Sequence, residues 1–453
     1  MNRVAVNDVH SRLNRTLVDD IVPVDSPEST GAALDRAQTA GRPVAIAGGR
    51  HAMGGQQFCS GGVVVDTRPL SRVLSLDTER GLVEVEAGIQ WPTLVDALAP
   101  TPWAIRQKQT GADDLCIGGA VSANVHGRGL AYAPFVADLE SIVVVGADGV
   151  ARRCSRTENA ELFRLVCGGY GLFGVVYSAT LRLDRRRKLE RVVRLAHANE
   201  LETLFAERIA DGFLYGDFQF EIDPESPRFL QQGICSCYRP VPEDTPLGAG
   251  HTLSAEDWSR LLHLAHHDKK RAYEVYAQHY LATSGQVYLS DRHQLATYVP
   301  GYHWAGSSEM ISELYVPRRA LADFLAASAR DLRALEADVV YGTVRLVERD
   351  HETALAWARE PWACVVLNLH VEHTPVGIER AAVAFRRLID LALDRGGSFY
   401  LTYHRWATRR QLSAAYPQLP AFLDAKLEHD PDELFQSDWY RWLRSSVELE
   451  AVA

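Results

Sequence analysis

The 453-residue sequence has no apolar run near the roughly 18–20 residues that span a bilayer. Its opening stretch, MNRVAVNDVHSRLNRTLVDD, has no apolar core of the kind that marks a secretory leader. No membrane span is therefore expected. An excess of positive charge is also missing: 48 Lys and Arg stand against 58 Asp and Glu, a formal charge of −10. Phosphate-backbone binders carry a basic surface, so nucleic acid is excluded as the main partner. Paired zinc-type cysteine spacing is absent too. Cys59, Cys116, Cys154, Cys167, Cys235, Cys237 and Cys364 are odd in number and scattered, which reads as free thiols in a reducing, cytoplasmic setting. Internal repeats and low-complexity stretches are lacking. What is present is ordinary for a globular protein: 47% hydrophobic and 23% charged residues, in a chain long enough for two or three folding units.

From residue 20 to 185, short β-branched runs alternate with helical stretches. Pro43–Ala47 and Val63–Asp66 read as strands. Arg72–Leu76 and Leu82–Gly88 read as a hairpin, and Trp91–Leu98 as a helix with Pro92 in its first turn. The basic run Arg185–Lys188 marks a boundary. Beyond it, Phe213–Ile222, Gly233–Tyr238, Glu309–Val316, Val339–Val347 and Ala363–Val371 read as long strands, with helices over Arg319–Glu336 and Gly377–Arg395. That order predicts an α+β fold in which an antiparallel sheet carries helices on one face. Phe399–Trp406 reads as one more strand.

Three glycine-rich segments punctuate the first region: Gly48–Gly55 directly after a strand, Ile117–Gly129, and Cys167–Gly174. Glycines let backbone N–H groups approach phosphate oxygens closely. A nicotinamide-binding G-x-G-x-x-G would open a helix, but here the spacing differs and the next element is a strand. Taken alone, each loop also fits a tight turn without a ligand.

Together these segments resemble the FAD-binding domain of the vanillyl-alcohol oxidase / para-cresol methylhydroxylase superfamily. The resemblance rests on the GGRH loop, VVVDTRPLSRVLSLD, GLVEVEAGIQWPTLVDAL, IGGAVSANVHGRG and ELFRLVCGGYGLFGVV, in that order. In motifs it is nearest to the decaprenylphosphoryl-ribose oxidases and the alditol and aldonolactone oxidases. It implies a two-part PCMH-type FAD-binding domain over 1–188, an α+β substrate domain over 189–395, and a segment over 396–453 that returns to the flavin domain. It also implies FAD as cofactor. Gly48, Gly49, Arg50, Ala52, Met53, Gly54 and Gly55 would wrap its diphosphate. His51 falls where many members attach the flavin covalently, and a merely hydrogen-bonded His51 is the alternative. Thr110, Gly111 and Cys116 would lie near the flavin. Gly118, Gly119, Ser122, Asn124, His126 and Gly127 would line diphosphate and isoalloxazine. Val125 would narrow oxygen access, which favours a dehydrogenase, and Gly171, Gly174 and Val175 would meet the adenine half.

Oxidising an alcohol carbon needs a hydride acceptor, a base within hydrogen-bond reach and positive charge near the reduced flavin. Arg345 matches an arginine of the alditol-oxidase branch, but Thr343 replaces that branch's glutamate. Asn368, His370 and Glu372 alternate on one strand face, which makes His370 a candidate base if that face meets the flavin. Tyr403 stands where relatives place a lysine, with Arg405 on its face and His404 opposite; a tyrosinate or arginine would replace the lost charge. His263, His266 and His267 share a helix face but read as a solvated surface. The expected activity is FAD-dependent oxidation of a CH–OH group in a small hydroxylated substrate, by oxidase or dehydrogenase turnover. The alternatives are reduction of a carbon–carbon double bond and non-catalytic flavin binding. The substrate, the electron acceptor and the oligomeric state are not legible.

Overall fold

A computed structural model describes residues 3–248, 253–296 and 305–448. The chain opens with an antiparallel ribbon of β1 (Val4–Val6) and β2 (Thr16–Val18). Next come β3 (Asp20–Pro23), α1 (Pro27–Thr39), β4 (Val44–Ala47) and β5 (Val63–Asp66). Ser26 caps α1 with a reciprocal Ser29 contact, and Pro27 occupies its first turn. The three strands form a parallel sheet in the order β3–β5–β4. Parallel strands are buried on both faces. Val63 and Val65 accordingly cluster with Leu34 and Ala37 of α1, while Val64 clusters with Phe58, Val6 and Val18.

A second, antiparallel sheet uses β6 (Val73–Asp77), β7 (Leu82–Glu86), β8 (Trp103–Ile105), β9 (Leu139–Val145), β10 (Ala151–Ser155) and β11 (Val175–Arg185). Its order is β10–β9–β11–β7–β6, with β8 on the far end of β11. Helices α2 (Trp91–Leu98), α3 (Ile117–Ala123) and α4 (Ala160–Val166) lie between these strands. The middle glycine-rich segment thus opens as a helix.

The third unit begins with β12 (Lys188–His197), α5 (Leu201–Ala210), β13 (Tyr215–Phe220) and β14 (Gln232–Val241). It continues with α6 (Ala255–His267), α7 (Lys269–Ala282), β15 (Val287–Leu289), β16 (Ser307–Pro317), α8 (Leu321–Ala334), β17 (Val339–Val347), β18 (Trp362–Glu372), α9 (Pro375–Leu393) and β19 (Ser398–Phe399). Eight strands make one sheet in the order β15–β12–β14–β13–β17–β18–β16–β19. The register sets Glu313 opposite Val366, Ile311 opposite Asn368, and Glu309 opposite His370, and it pairs Arg345 with Cys364. These residues share one face, because paired residues point the same way.

Two expectations need correction. Helices cover both faces of this sheet, not one. Tyr273, Tyr276 and Ala277 of α7 pack on Val193 and Ile234, which lie on the Gln219 face. On the opposite face Ser312 meets His404, which stacks on Phe385 of α9. The strand expected over 399–406 ends at Phe399. The chain turns away after Tyr400, so alternation says nothing about Tyr403, His404 and Arg405.

The tail adds α10 (Arg409–Ala415), α11 (Leu419–His429) and α12 (Asp438–Glu448). It returns to the first sheet, where Val44 N–H donates to Leu434 O and Gln436 N–H to Val44 O. The return is held by Asp430, which accepts from the Leu434 and Phe435 N–H groups and pairs with Lys426, both side chains being buried. Removing one member of a buried pair strands the other charge. Lys426→Met is therefore expected to lower unfolding free energy by about 3 kcal/mol in a denaturant titration; a loss within about 0.5 kcal/mol would show that Asp430 is held by the backbone alone.

Candidate active site

All three glycine-rich segments reach one cavity of about 350 Å³, within the usual size range of ligand sites. Its walls include Gly48–Met53, Thr110–Ala112, Gly118, Gly119, Ser122, Val125, His126, Gly171 and Gly174. Ile311, Glu313 and Arg345 of the large sheet close the opposite side with Tyr400, Thr402 and Tyr403 of the tail. The loops are wedged against each other. A Cβ on Gly49 would lie 2.6 Å from Asp114 O, so only glycine lets the first loop rest on the segment before α3. Arg50, Ala112, Asn124 and Tyr170 all hold left-handed backbone, with φ between 45° and 61°. Such conformations are costly for non-glycine residues and gather at functional sites. The tail fastens the first loop: Met53 and Gly54 N–H donate to Thr402 O, and Gln56 donates to Leu401 O.

Four polar atoms on the cavity wall are buried without a hydrogen-bond partner: Arg50 Nε, His51 Nε2, Gln57 Oε1 and Arg345 Nε. Orphaned buried groups are rare, and these call for a ligand that accepts from two cations. A dinucleotide with a diphosphate and a hydrogen-bonding ring system meets that demand, and the glycine-lined wall leaves room for it. The donor set therefore fits FAD.

The sheet side is organised by Glu313, which is only 4% exposed. Its Oε2 lies 2.9 Å from His126 Nε2 and accepts from Tyr315 OH at 2.9 Å; its Oε1 accepts from Tyr403 OH at 2.8 Å. Burial pushes this carboxyl up, but the charges of His126 and Arg345 and the Tyr403 hydroxyl outweigh it and hold it down at about 2. Tyr403 responds oppositely: burial and the Glu313 charge push it well above its ordinary value. It is thus a neutral hydroxyl, which corrects the expectation of a tyrosinate. Cys364 Sγ lies 3.7 Å from both His126 Nε2 and Glu313 Oε2.

At the other end His51 Nδ1 is 2.7 Å from His10 Nε2, and His51 Nε2 is 3.2 Å from Asp114 Oδ1. Burial and His51 lower His10 to about 4, leaving it neutral at pH 7.

Several expected residues lie behind the wall. Gly54, Gly55, Cys116, Asn124, Gly127 and Val175 do not line the cavity. Cys116 is packed behind Gly48, whose added Cβ would lie 3.1 Å from it. Asn124 bonds Asp350 and Val136 N–H, while Val175 is a core residue of β11. Arg405 donates to Asp438 O and Asn14, bracing the first loop from outside. Asn368 and His370 sit further along the sheet, where Asn368 donates to Glu309 and His370 packs on the ring of His266. Glu313 and Tyr400 were not singled out by the sequence reading. The available signal was a carboxylate inside the strand-like run Glu309–Val316, directly before Leu314-Tyr315-Val316, since a charge in a buried strand needs partners.

Residues 19–155 match the family described as FAD binding domain. The chain is 31% identical to cytokinin dehydrogenase 7 of Oryza sativa subsp. japonica over 245 residues, 49% of this chain and 41% of that protein. It is 28% identical to L-gulonolactone oxidase of Bos taurus over 158 residues, 35% of each chain. It is also 28% identical to decaprenylphosphoryl-beta-D-ribose oxidase of Mycolicibacterium smegmatis over 169 residues, 37% of this chain and 36% of that protein. The matches thus span well under half of these relatives. The chain carries an FAD-binding domain of the FAD-linked oxidase superfamily, and FAD is its cofactor.

Gly119 tests the cavity directly. A Cβ there would meet only the Leu115 side chain, at 3.3 Å, and leucine is a better helix former than glycine. Gly119→Leu is expected to fold and to purify colourless; a variant as yellow as the parent would place FAD elsewhere.

Proposed function

We propose that this chain is an FAD-dependent oxidoreductase that oxidises a CH–OH group of a small hydroxylated substrate such as a sugar, polyol or glycosylated metabolite. The carrying observation is the hydrogen-bonded chain Tyr403–Glu313–His126 on the wall that faces the glycine loops. FAD, when bound, supplies the two-electron acceptor and is reoxidised by oxygen or another acceptor. Support for a hydroxylated donor also comes from the relatives named for L-gulonolactone and for a ribose derivative.

The residues divide the remaining work. Tyr403 has committed its proton to Glu313, so its oxygen is left to accept from a substrate hydroxyl. Arg345, buried and with Nε unpartnered, stabilises negative charge as it grows on the substrate oxygen. The hydroxyl proton moves to Tyr403 Oη while Tyr403 passes its own to Glu313 Oε1. Its partners hold the Glu313 carboxyl low, so a proton placed there is not kept. Val125, at the cavity wall, restricts the space beside the flavin site and favours a dehydrogenase.

We assign covalent attachment of FAD to His51. Its Nδ1 is hydrogen-bonded to His10 and its Nε2 lies 3.2 Å from Asp114 Oδ1, so attachment displaces one of these neighbours. Acid precipitation of the protein is expected to carry the flavin into the pellet, and His51→Ala to leave it in the supernatant. Free flavin from the unaltered protein would rule attachment out.

The relay is tested by anaerobic flavin bleaching with a panel of sugars and polyols. Tyr403→Phe should keep its FAD and slow bleaching about 100- to 1000-fold, the usual contribution of a positioned proton acceptor. An unchanged rate would remove Tyr403 from the chemistry, and a protein bleached by no alcohol would remove the function.

A further inference from the structure

A second cavity, of about 270 Å³, lies under the α6–α7 hairpin on the Glu313 face of the large sheet. Trp258, Leu261, Tyr273 and Tyr276 cover it from the helices. Gln219, Tyr341 and Asn368 form part of its floor with Glu309. Its volume is slightly below that of ordinary drug-sized sites, so it takes a group of one or two rings.

The polar groups specify that group further. Asn368 is 9% exposed and spends its amide N–H on Glu309 Oε2 at 3.0 Å. A carboxylate only accepts, so this bond fixes the amide orientation and turns Oδ1 away from Glu309. Asn368 Oδ1 is buried without a protein partner, as is Oε1 of Gln219, which is 8% exposed. With the Tyr273 and Tyr276 hydroxyls, also buried on this lining without a hydrogen-bond partner, these two acceptors suit a ligand group that donates and can also accept, as a hydroxyl does. Glu309 is the charged residue on this lining, which disfavours an anionic group.

The second cavity lies beside the first on the same strands, with Ile311 of the first lining paired in register with Asn368 of the second. Glu309 faces it, whereas Ile311 and Glu313 of β16 face the flavin cavity; on β17, Tyr341 faces it and Arg345 the other. Glu309 and Glu313, like Tyr341 and Arg345, lie four residues apart, about 13 Å, and Ile311 lies between the first two. From this geometry we infer that the second cavity holds the non-reacting end of the substrate, a flat aromatic group bearing a hydroxyl or N–H donor. The inference rests on the proposed alcohol oxidation, and it narrows the substrate to a hydroxylated moiety carrying an aromatic substituent.

Direct binding to the FAD-loaded protein tests it. Titration with 2-naphthol should quench Trp258 fluorescence saturably, and Trp258→Phe should abolish the quenching. The dissociation constant should be about tenfold lower than for 2-methoxynaphthalene, which lacks the donor, matching one hydrogen bond near 1.4 kcal/mol. Leu261→Trp, which fills the cavity, should abolish binding of both compounds with FAD content unchanged. Asn368→Leu should erase the tenfold preference and leave 2-methoxynaphthalene binding as it was. No saturable binding, or binding indifferent to Leu261→Trp, would overturn the proposal. Flavin bleaching by an alcohol without naphthol binding would remove this inference alone, while naphthol binding in a protein bleached by no alcohol would remove only the oxidation reading.

Discussion

A carboxylate with almost no contact with water must have its charge answered within hydrogen-bond distance, or it will not remain ionised. Glu313 is that carboxylate, and its partners come from every part of the chain. His126 follows the helix of the second glycine-rich segment, Tyr315 is two residues along the same strand, Arg345 contributes charge from β17, two strands away, and Tyr403 belongs to the tail. The flavin-side loops, the sheet and the returning segment are therefore fixed relative to one another by one charge. The cavity exists where they meet, and displacing any one of them would leave the others with an unanswered ion.

The flavin side works by a different constraint. There the wall is largely backbone, kept bare by glycines and turned by Arg50, Ala112 and Tyr170, which are held in left-handed conformation. Strain of this kind persists only where the surroundings over-determine it. Here that role falls to Asp114 against Gly49, to the tail carbonyls against Met53 and Gly54, and to Asn14, which donates to Met53 O. Arg405 illustrates the consequence. It has no place on the cavity, yet it ties Asn14 to Asp438 and so braces the loop that does.

What the sequence disclosed followed the local rules. Glycine-rich loops, the hairpin of Arg72–Leu76 and Leu82–Gly88, the β-branched strands and the helix that opens at Trp91-Pro92 obey short-range chemistry and could be read before the fold was known. The dividing line is clearest at Tyr403. Its neighbourhood looked like a strand because Phe399–Trp406 is aromatic-rich, but the chain leaves the sheet after Phe399, and its orientation is set by Glu313, 90 residues earlier. Asn368 and His370 were correctly placed on one strand face, but the position of the flavin cavity along that face is a tertiary fact. Glu313 showed in the sequence only as a charge in an apolar strand, because its role depends on partners brought together by folding.

The account is tested most directly by the crystal structure of the FAD-loaded protein. One flavin should fill the space between the Gly48–Met53, Gly118–Gly119 and Gly171–Gly174 backbones and the Glu313–Arg345 wall, with Tyr403 still hydrogen-bonded to Glu313. Flavin density outside that space, or a Glu313 found exposed and unpaired, would contradict it.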